Sequence, residues 1–395
     1  MSKIERLLVL NPKKKSSIKR AIVIAVIGLF LVVPQTLLSN QKSEKVKADV
    51  VIAKGFEYLL KQKHKENKIW DNIPGNTATR ADLTLTSLAA LAFMAEGSTH
   101  KEGKYKNEIS TSLKYLKEKL TDVNKLENMN LRDYYRSHLC FQLPFVLLFL
   151  SELYNIEKNK EIEEVAQKII RFLEDYQYID GGWAYSKAMA PDLKKDPSGG
   201  YQTLLATTWT CVLSLSHAKK VGLDVPDKTI SQGLMYIRNC SNRDGGFRYR
   251  ANPKATKFEK EHSISYVGAT VGAICTLLWA EDTGSTEFRK GCDYLANHME
   301  DLIKDEEGEH YWFWLFFNAI ALRHLEGERW EKWESQVRKY IVELQASDGH
   351  WKWMHMEKEQ NHLRVKKLGR IFATSTALII LQVSKNKLFL LQKVK

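Results

Sequence analysis

Gln177-Tyr178-Ile179-Asp180-Gly181-Gly182-Trp183 recurs in altered form as Asp244-Gly245-Gly246-Phe247 and as Gln345-Ala346-Ser347-Asp348-Gly349-His350-Trp351. Each stretch follows a segment whose apolar residues recur at three- and four-residue spacing. An Asp-Gly pair placed there supplies the positive backbone angle that ends a helix, and the aromatic two positions later can fold back onto the helix it leaves. These stretches therefore read as joints between helices.

Outward from the joints, two kinds of helical segment alternate. One kind is amphipathic: Val51 to Leu60, Ile109 to Leu120, Ile162 to Leu173, Ile230 to Ile237, Phe288 to Ile303 and Trp330 to Leu344. The other is apolar nearly all round: Leu83 to Ala95, Leu139 to Leu153, Leu204 to Leu215, Val267 to Trp279, Trp312 to Leu325 and Ile371 to Leu381. A helix apolar on every side must be covered on every side, whereas an amphipathic one can face water. The spacing thus predicts an inner and an outer layer built from about six pairs, none of which can bury its inner member alone. The last pair is as apolar as the middle ones, so the array is expected to close into an all-α (α/α)6 toroid and not to end in polar caps. Strand signals are nearly absent.

The chain has 395 residues, a formal charge of +13 and a pI near 9.2. Its lysines are spread along the whole length, and beyond the first twenty residues no basic run is interleaved with aromatics, so nucleic acid is not an expected partner. With eight prolines and no low-complexity stretch, residues 45–390 read as one domain. Ahead of it, Lys13, Lys14, Lys15, Lys19 and Arg20 precede the uncharged stretch Ala21 to Ser39. That pattern marks residues 1–42 as a signal peptide or a membrane anchor; its length suits either, and the basic flank places the body on the non-cytoplasmic, periplasmic side. Five cysteines, Cys140, Cys211, Cys240, Cys275 and Cys292, cannot all pair, and no disulfide framework is expected.

The joints resemble the second half of the Gln-Trp repeat of triterpene cyclases, carried here by Gln177, Gly181 and Trp183 and by Gln345, Gly349 and Trp351, with Gly245 and Phe247 in a shortened form. Lys54, Gly55, Tyr58 and Leu59, and Lys290, Gly291, Tyr294 and Leu295, resemble its first half. The likeness spans about residues 45–390 and identifies the chain as similar to the terpenoid cyclase and protein prenyltransferase superfamily. Arg136-Ser137-His138, Gly182-Trp183-Ala184-Tyr185 and His310-Tyr311-Trp312 look closer still to a planctomycete-type bacterial group of prenyltransferase/squalene-oxidase repeat proteins. That group tends to carry glycine after the first of these histidines, where this chain has Leu139.

What the resemblance implies about chemistry is met only in part. The Asp-x-Asp-Asp acid of the cyclases is missing; Glu281-Asp282-Thr283 is only a fragment of it. The Asp-x-Cys zinc pair of the prenyltransferases appears reversed as Cys292-Asp293, which on a helix sets the two side chains roughly 100° apart. No metal and no cofactor are therefore expected. Residues at the starts of the inner helices line one mouth of a toroid, where helix dipoles favour electron-rich groups. The candidates for a ligand cavity are Tyr135, Thr208, Trp209, His262, Tyr266, His310 and Trp312, with Asp82 and His138 as candidate acids. Aromatic walls of this kind suit an isoprenoid or another apolar ligand, and equally suit a tight core. Three readings follow: an exported or anchored toroid that binds an apolar ligand, a non-standard isoprenoid cyclase or transferase working through Asp82 or His138, and a glycan-processing toroid, for which Asp82 and Asp133 are the best acid pair.

Overall fold

The computed structural model describes residues 35–64, 69–70, 81–121, 138–185, 203–251, 264–304, 310–325, 328–358 and 363–392. Residues 1–34, which hold most of the segment expected to be a signal or anchor, and Tyr135, His262 and Asp133 lie outside them. Two units are distinguished, residues 1–50 and residues 51–395. Helix α1 (Gln35–Gln62) contributes to the second from Val51 onward.

That second unit is all-helical. Its inner helices are α2 (Asp82–Glu96), α4 (Leu139–Ile156), α6 (Leu205–Lys220), α8 (Val267–Trp279), α10 (Tyr311–Leu325) and α13 (Leu363–Leu381). Its outer helices are α1, α3 (Lys106–Lys119), α5 (Lys160–Asp175), α7 (Asp227–Asn239), α9 (Thr286–Lys304) and α11 (Glu328–Glu343); a short α12 (Met354–Lys358) precedes α13. Each inner helix packs on the next, and α13 packs back on α2, so the expected toroid is formed and closed. Extended pairing among the described residues is confined to isolated bridges around Phe247. One described helix, α4, is long and apolar enough to cross a bilayer. It is buried nearly throughout as a core helix of the ring.

The joints hold the layers together by one recurring geometry. The indole N–H of Trp183 donates to the carbonyl of Leu173 on its own outer helix (2.7 Å), and the backbone N–H of Trp183 donates to Thr208 Oγ1 on the inner helix that follows (3.0 Å). Trp351 does the same with Ile341 (2.7 Å) and Thr374 (3.2 Å), and Phe247 donates its N–H to Thr270 (2.9 Å). Trp70, which the sequence pattern did not single out, makes the corresponding indole bond to Leu59 (2.8 Å). Buried donors need such partners, so each bond also fixes where the aromatic ring goes.

Consecutive repeats interlock through paired glycines. Gly181, Gly245 and Gly349 have φ of +85°, +92° and +96°, and a Cβ on any of them would collide with the backbone of Gln232, Lys290 and Lys54 respectively. Each of those residues precedes a helix glycine, Gly233, Gly291 or Gly55, which lies beneath Trp183, Phe247 or Trp351. Gln177 and Gln345 complete two of these contacts, donating both to their own turn (Gly181 and Gly349 carbonyls, 2.9 and 3.0 Å) and to the next outer helix (Thr229 and Val51 carbonyls, 2.9 and 2.7 Å). The bond from Gln345 to Val51 closes the seam between the last joint and the first outer helix.

Along the inner helices, residues spaced four, three and four apart recur on the face toward the ring axis: Phe141, Phe145, Leu148 and Glu152 on α4; Ala206, Thr210, Leu213 and His217 on α6; Phe313, Phe317, Ile320 and His324 on α10. Contacts across the ring follow this register. Phe313 of α10 meets Phe141 and Phe145 of α4 at centroid distances of 5.5 and 6.4 Å, and Trp209 of α6 meets Phe313 and Phe317 at 5.4 and 4.7 Å. Neither α4 nor α6 is sequence-adjacent to α10 in the ring, so these aromatics fill the centre. Trp209 fits because α8 places Gly272 there; a Cβ at Gly272 would fall inside the indole ring.

Candidate functional site

Among the described residues, the first turns of the inner helices form a mouth at this end of the ring, above the aromatics packed across it. Asp82, Ala206 and Trp314 each keep 9% of their surface exposed, whereas Leu91, Leu150, Leu213 and Ile274 deeper in the same layer keep none. His138, Phe141, Tyr185, Tyr266 and His310 are half-buried.

These side chains form a continuous aromatic surface. His138, immediately before α4, stacks on Tyr185 from the joint loop (4.7 Å between centroids), and Phe141 meets the edge of the same ring (6.0 Å). Phe141 touches Phe313, and His310 packs against Phe313 (6.5 Å) and Trp314 (5.2 Å) from the opposite side of the ring. Two histidines thus flank an aromatic floor supplied by α4 and α10. On a neighbouring part of the rim Tyr266 meets Tyr249 edge to face (5.5 Å), and the Tyr249 carbonyl caps the start of α6 by accepting from Leu205 N–H (2.9 Å).

Burial of His138 pushes its imidazole below the ordinary histidine value, so at neutral pH it is an uncharged ring. A neutral, desolvated imidazole is a poor proton donor to an alkene. Asp82 accepts a 2.5 Å hydrogen bond from the Tyr115 hydroxyl on α3, which ties the carboxylate to the outer layer. The remaining candidates separate by role. Thr208 faces outward to Trp183, and Trp312 donates its indole N–H to the Lys352 carbonyl (2.8 Å) beside the last joint; both are ties between layers. Trp209 belongs to the packed centre, while Tyr266 and His310 sit at the mouth.

The other end of the ring carries a cluster that the sequence reading missed. Glu152, His217, Trp279 and His324 stand at the bases of α4, α6, α8 and α10, and Glu152 Oε1 lies 3.0 Å from His217 Nε2. Their sequence signal is an acidic group and histidines inside otherwise apolar helices, each eleven residues beyond a mouth-facing position. Its reading requires the axial register that only the folded ring supplies. None of the five cysteines is in a disulfide, and burial pushes the thiols of Cys211, Cys240 and Cys275 up.

Similar solved structures are helical toroids of diverse activity. A type II terpene cyclase from Scytonema, in complex with geranylgeranyl dihydroxybenzoate, is 12% identical with a TM-score of 0.54, over 88% of this chain and 99% of that one. The GH76A α-1,6-mannanase from Salegentibacter sp. HEL1_6 is 9% identical with a TM-score of 0.59, over 86% and 99%. The cellobiose 2-epimerase from Bacillus thermoamylovorans B4167 is 13% identical with a TM-score of 0.56, over 82% and 94%. At these identities the likeness is one of fold. No curated protein matches the sequence. A family model described as a domain of unknown function, DUF6288, matches residues 48–380, well over half of the sequence, and the chain belongs to that family.

Proposed function

We propose that the protein is an exported or membrane-anchored toroid that binds an isoprenoid or other apolar ligand at its aromatic mouth. The observation that carries this reading is the contact chain of half-buried His138, Tyr185, Phe141 and His310 over buried Phe313 and Trp314, assembled from opposite sides of the ring. Small-molecule sites are lined mostly by apolar and aromatic side chains with a few polar groups, the make-up of this surface. The Scytonema cyclase holds a geranylgeranyl compound on the same fold, which supports the class of ligand. The neutral His138 and the tethered Asp82 favour binding over turnover. The basic, then apolar, N-terminal segment supports placement of the body beyond the membrane.

The packed centre sets the geometry of the ligand. It enters no deeper than Phe141 and Phe313, so it lies across the mouth as a short or partly inserted chain. Titration of the full chain with geranylgeraniol, followed by tryptophan fluorescence, is expected to saturate, and Phe141→Ala is expected to weaken binding at least tenfold. Saturation by an α-1,6-mannooligosaccharide with none by the polyprenol would replace this reading with the glycan one. Conversion of the added polyprenol, abolished by Asp82→Asn, would replace it with the cyclase or transferase reading.

A further inference from the structure

At the base of the ring the chain covers its own polar cluster. Past α13 it continues through a single 3₁₀ turn (Val383–Lys385), a left-handed Asn386 (φ +55°) and a second 3₁₀ turn (Phe389–Leu391) that packs on α4 and α10. The Glu152 carboxylate, 2% exposed, accepts the backbone N–H groups of Phe389 (2.8 Å) and Leu390 (2.7 Å) as well as bonding to His217 Nε2. The Leu390 carbonyl accepts from His324 Nε2 (3.1 Å). The Phe389 ring lies edge-on to His217 (5.6 Å) and Trp279 (5.9 Å), and Leu388, Leu390 and Leu391 are buried.

Two further groups in this cluster are unused. His217 Nδ1 and Trp279 Nε1 have no hydrogen-bond partner among the described residues, although both side chains are fully buried and their rings stack at 5.6 Å. A buried polar atom without a partner calls for an explanation, and a polar group of an incoming segment would supply one here. The contacts made to residues 388–391 are of a particular kind. A carboxylate accepting two consecutive main-chain N–H groups, with an imidazole donating to the next carbonyl, recognises polypeptide backbone whatever its sequence. The apolar sockets around it select leucine and phenylalanine.

We propose that the base of the ring is a binding site for an apolar polypeptide segment, and that residues 388–391 occupy it as an exchangeable plug. The plug has no regular structure longer than one turn and belongs to none of the inner helices, so its release breaks the Glu152 and His324 bonds and uncovers the leucine sockets without unwinding the ring. Its opening uncovers Glu152, His217, Trp279 and His324 together. This site lies at the opposite end of the ring from the aromatic mouth and stands independently of what binds there.

Hydrogen exchange on the unaltered full chain tests exchangeability. The amides of Phe389 and Leu390 are expected to exchange together and at least tenfold faster than those of Leu213 and Cys275 in the inner layer; equal rates would mean that the segment leaves only on global unfolding and would overturn the proposal. A labelled peptide with the sequence of residues 386–392 then tests recognition. It is expected to bind full-length Leu390→Asp, whose own plug is displaced, at least tenfold more tightly than the double variant that also carries Glu152→Gln. No binding by a folded Leu390→Asp chain, or equal binding by the two, would sink the idea. If Leu390→Asp does not fold, the exchange rates of the unaltered chain decide.

Discussion

At the residue scale, side chains here are chosen by what stands on the neighbouring inner helix as much as by their own. Gly272 sits in mid-helix, where alanine would ordinarily stabilise by about 1 kcal/mol. Its missing Cβ is the space occupied by the Trp209 indole, and overpacking of this kind costs about 1–3 kcal/mol or more. With the cost at the upper end of that range, Gly272→Ala is therefore expected to destabilise the protein by about 2 kcal/mol net in chemical denaturation; a stabilised variant would show that Trp209 can move freely. Pro144 offers a second case. Lacking an N–H, it leaves the Cys140 carbonyl without its helical partner, and the Cys211 thiol on α6 donates to that oxygen at 3.2 Å.

Charge at the same scale gives a pH dependence. Arg370 grips Glu357 through Nε (2.6 Å) and Nη2 (2.9 Å), and that hydrogen bonding holds the Glu357 carboxyl below its ordinary value of 4.5. A carboxyl whose folded-state value lies below its unfolded one adds stability that is present above about pH 4.5 and is lost as the pH falls through the folded value. The gap in melting temperature between the native chain and Glu357→Gln is thus expected to be widest above pH 4.5 and to narrow below it. A gap that stays constant on acidification would contradict this account.

At the scale of elements, the joint is the repeating device, and its glycines answer two different demands. Gly222 has φ +93° with open space around it, so alanine there meets only left-handed backbone strain of about 1–2 kcal/mol. Gly349 has nearly the same φ but lies against the Lys54 backbone. Gly349→Ala must pay the strain and also push the last joint off α1, so its loss in thermal stability is expected to exceed that of Gly222→Ala at least twofold. Equal losses would mean that the seam has slack. Position 350 shows how far the device bends. Where the other joints have Gly182 and Gly246, this one has His350, and its Nδ1 takes the place beside Asp348 that Thr203 and Ser265 hydroxyls take beside Asp180 and Asp244.

At the scale of the whole molecule, closure is made by residues far apart in the chain: Gln345 to Val51, and Gln382, whose side-chain amide donates to the Ala92 carbonyl on α2 (3.3 Å). Gln345→Leu removes the side-chain bond to the Val51 carbonyl across the seam and is expected to raise amide exchange in α1 and α13 together while leaving α6 and α8 as they were. A rise confined to α13 would show that the two ends do not support each other.

The sequence by itself determined the alternation of all-apolar and amphipathic helices, the position of the joints and the need for a closed array. Those features follow from periodicity and from glycine's backbone freedom, which are local properties of the chain. Only the tertiary structure decided which buried face looks toward the axis. That decision turned Trp209 from an expected cavity wall into filling, turned Thr208 and Trp312 into ties between layers, and gathered Glu152, His217, Trp279 and His324 at the base. The physical reason is that hydrophobic periodicity reports that a residue is covered, whereas the identity of the residue covering it from across the ring depends on how six helices are rotated against one another.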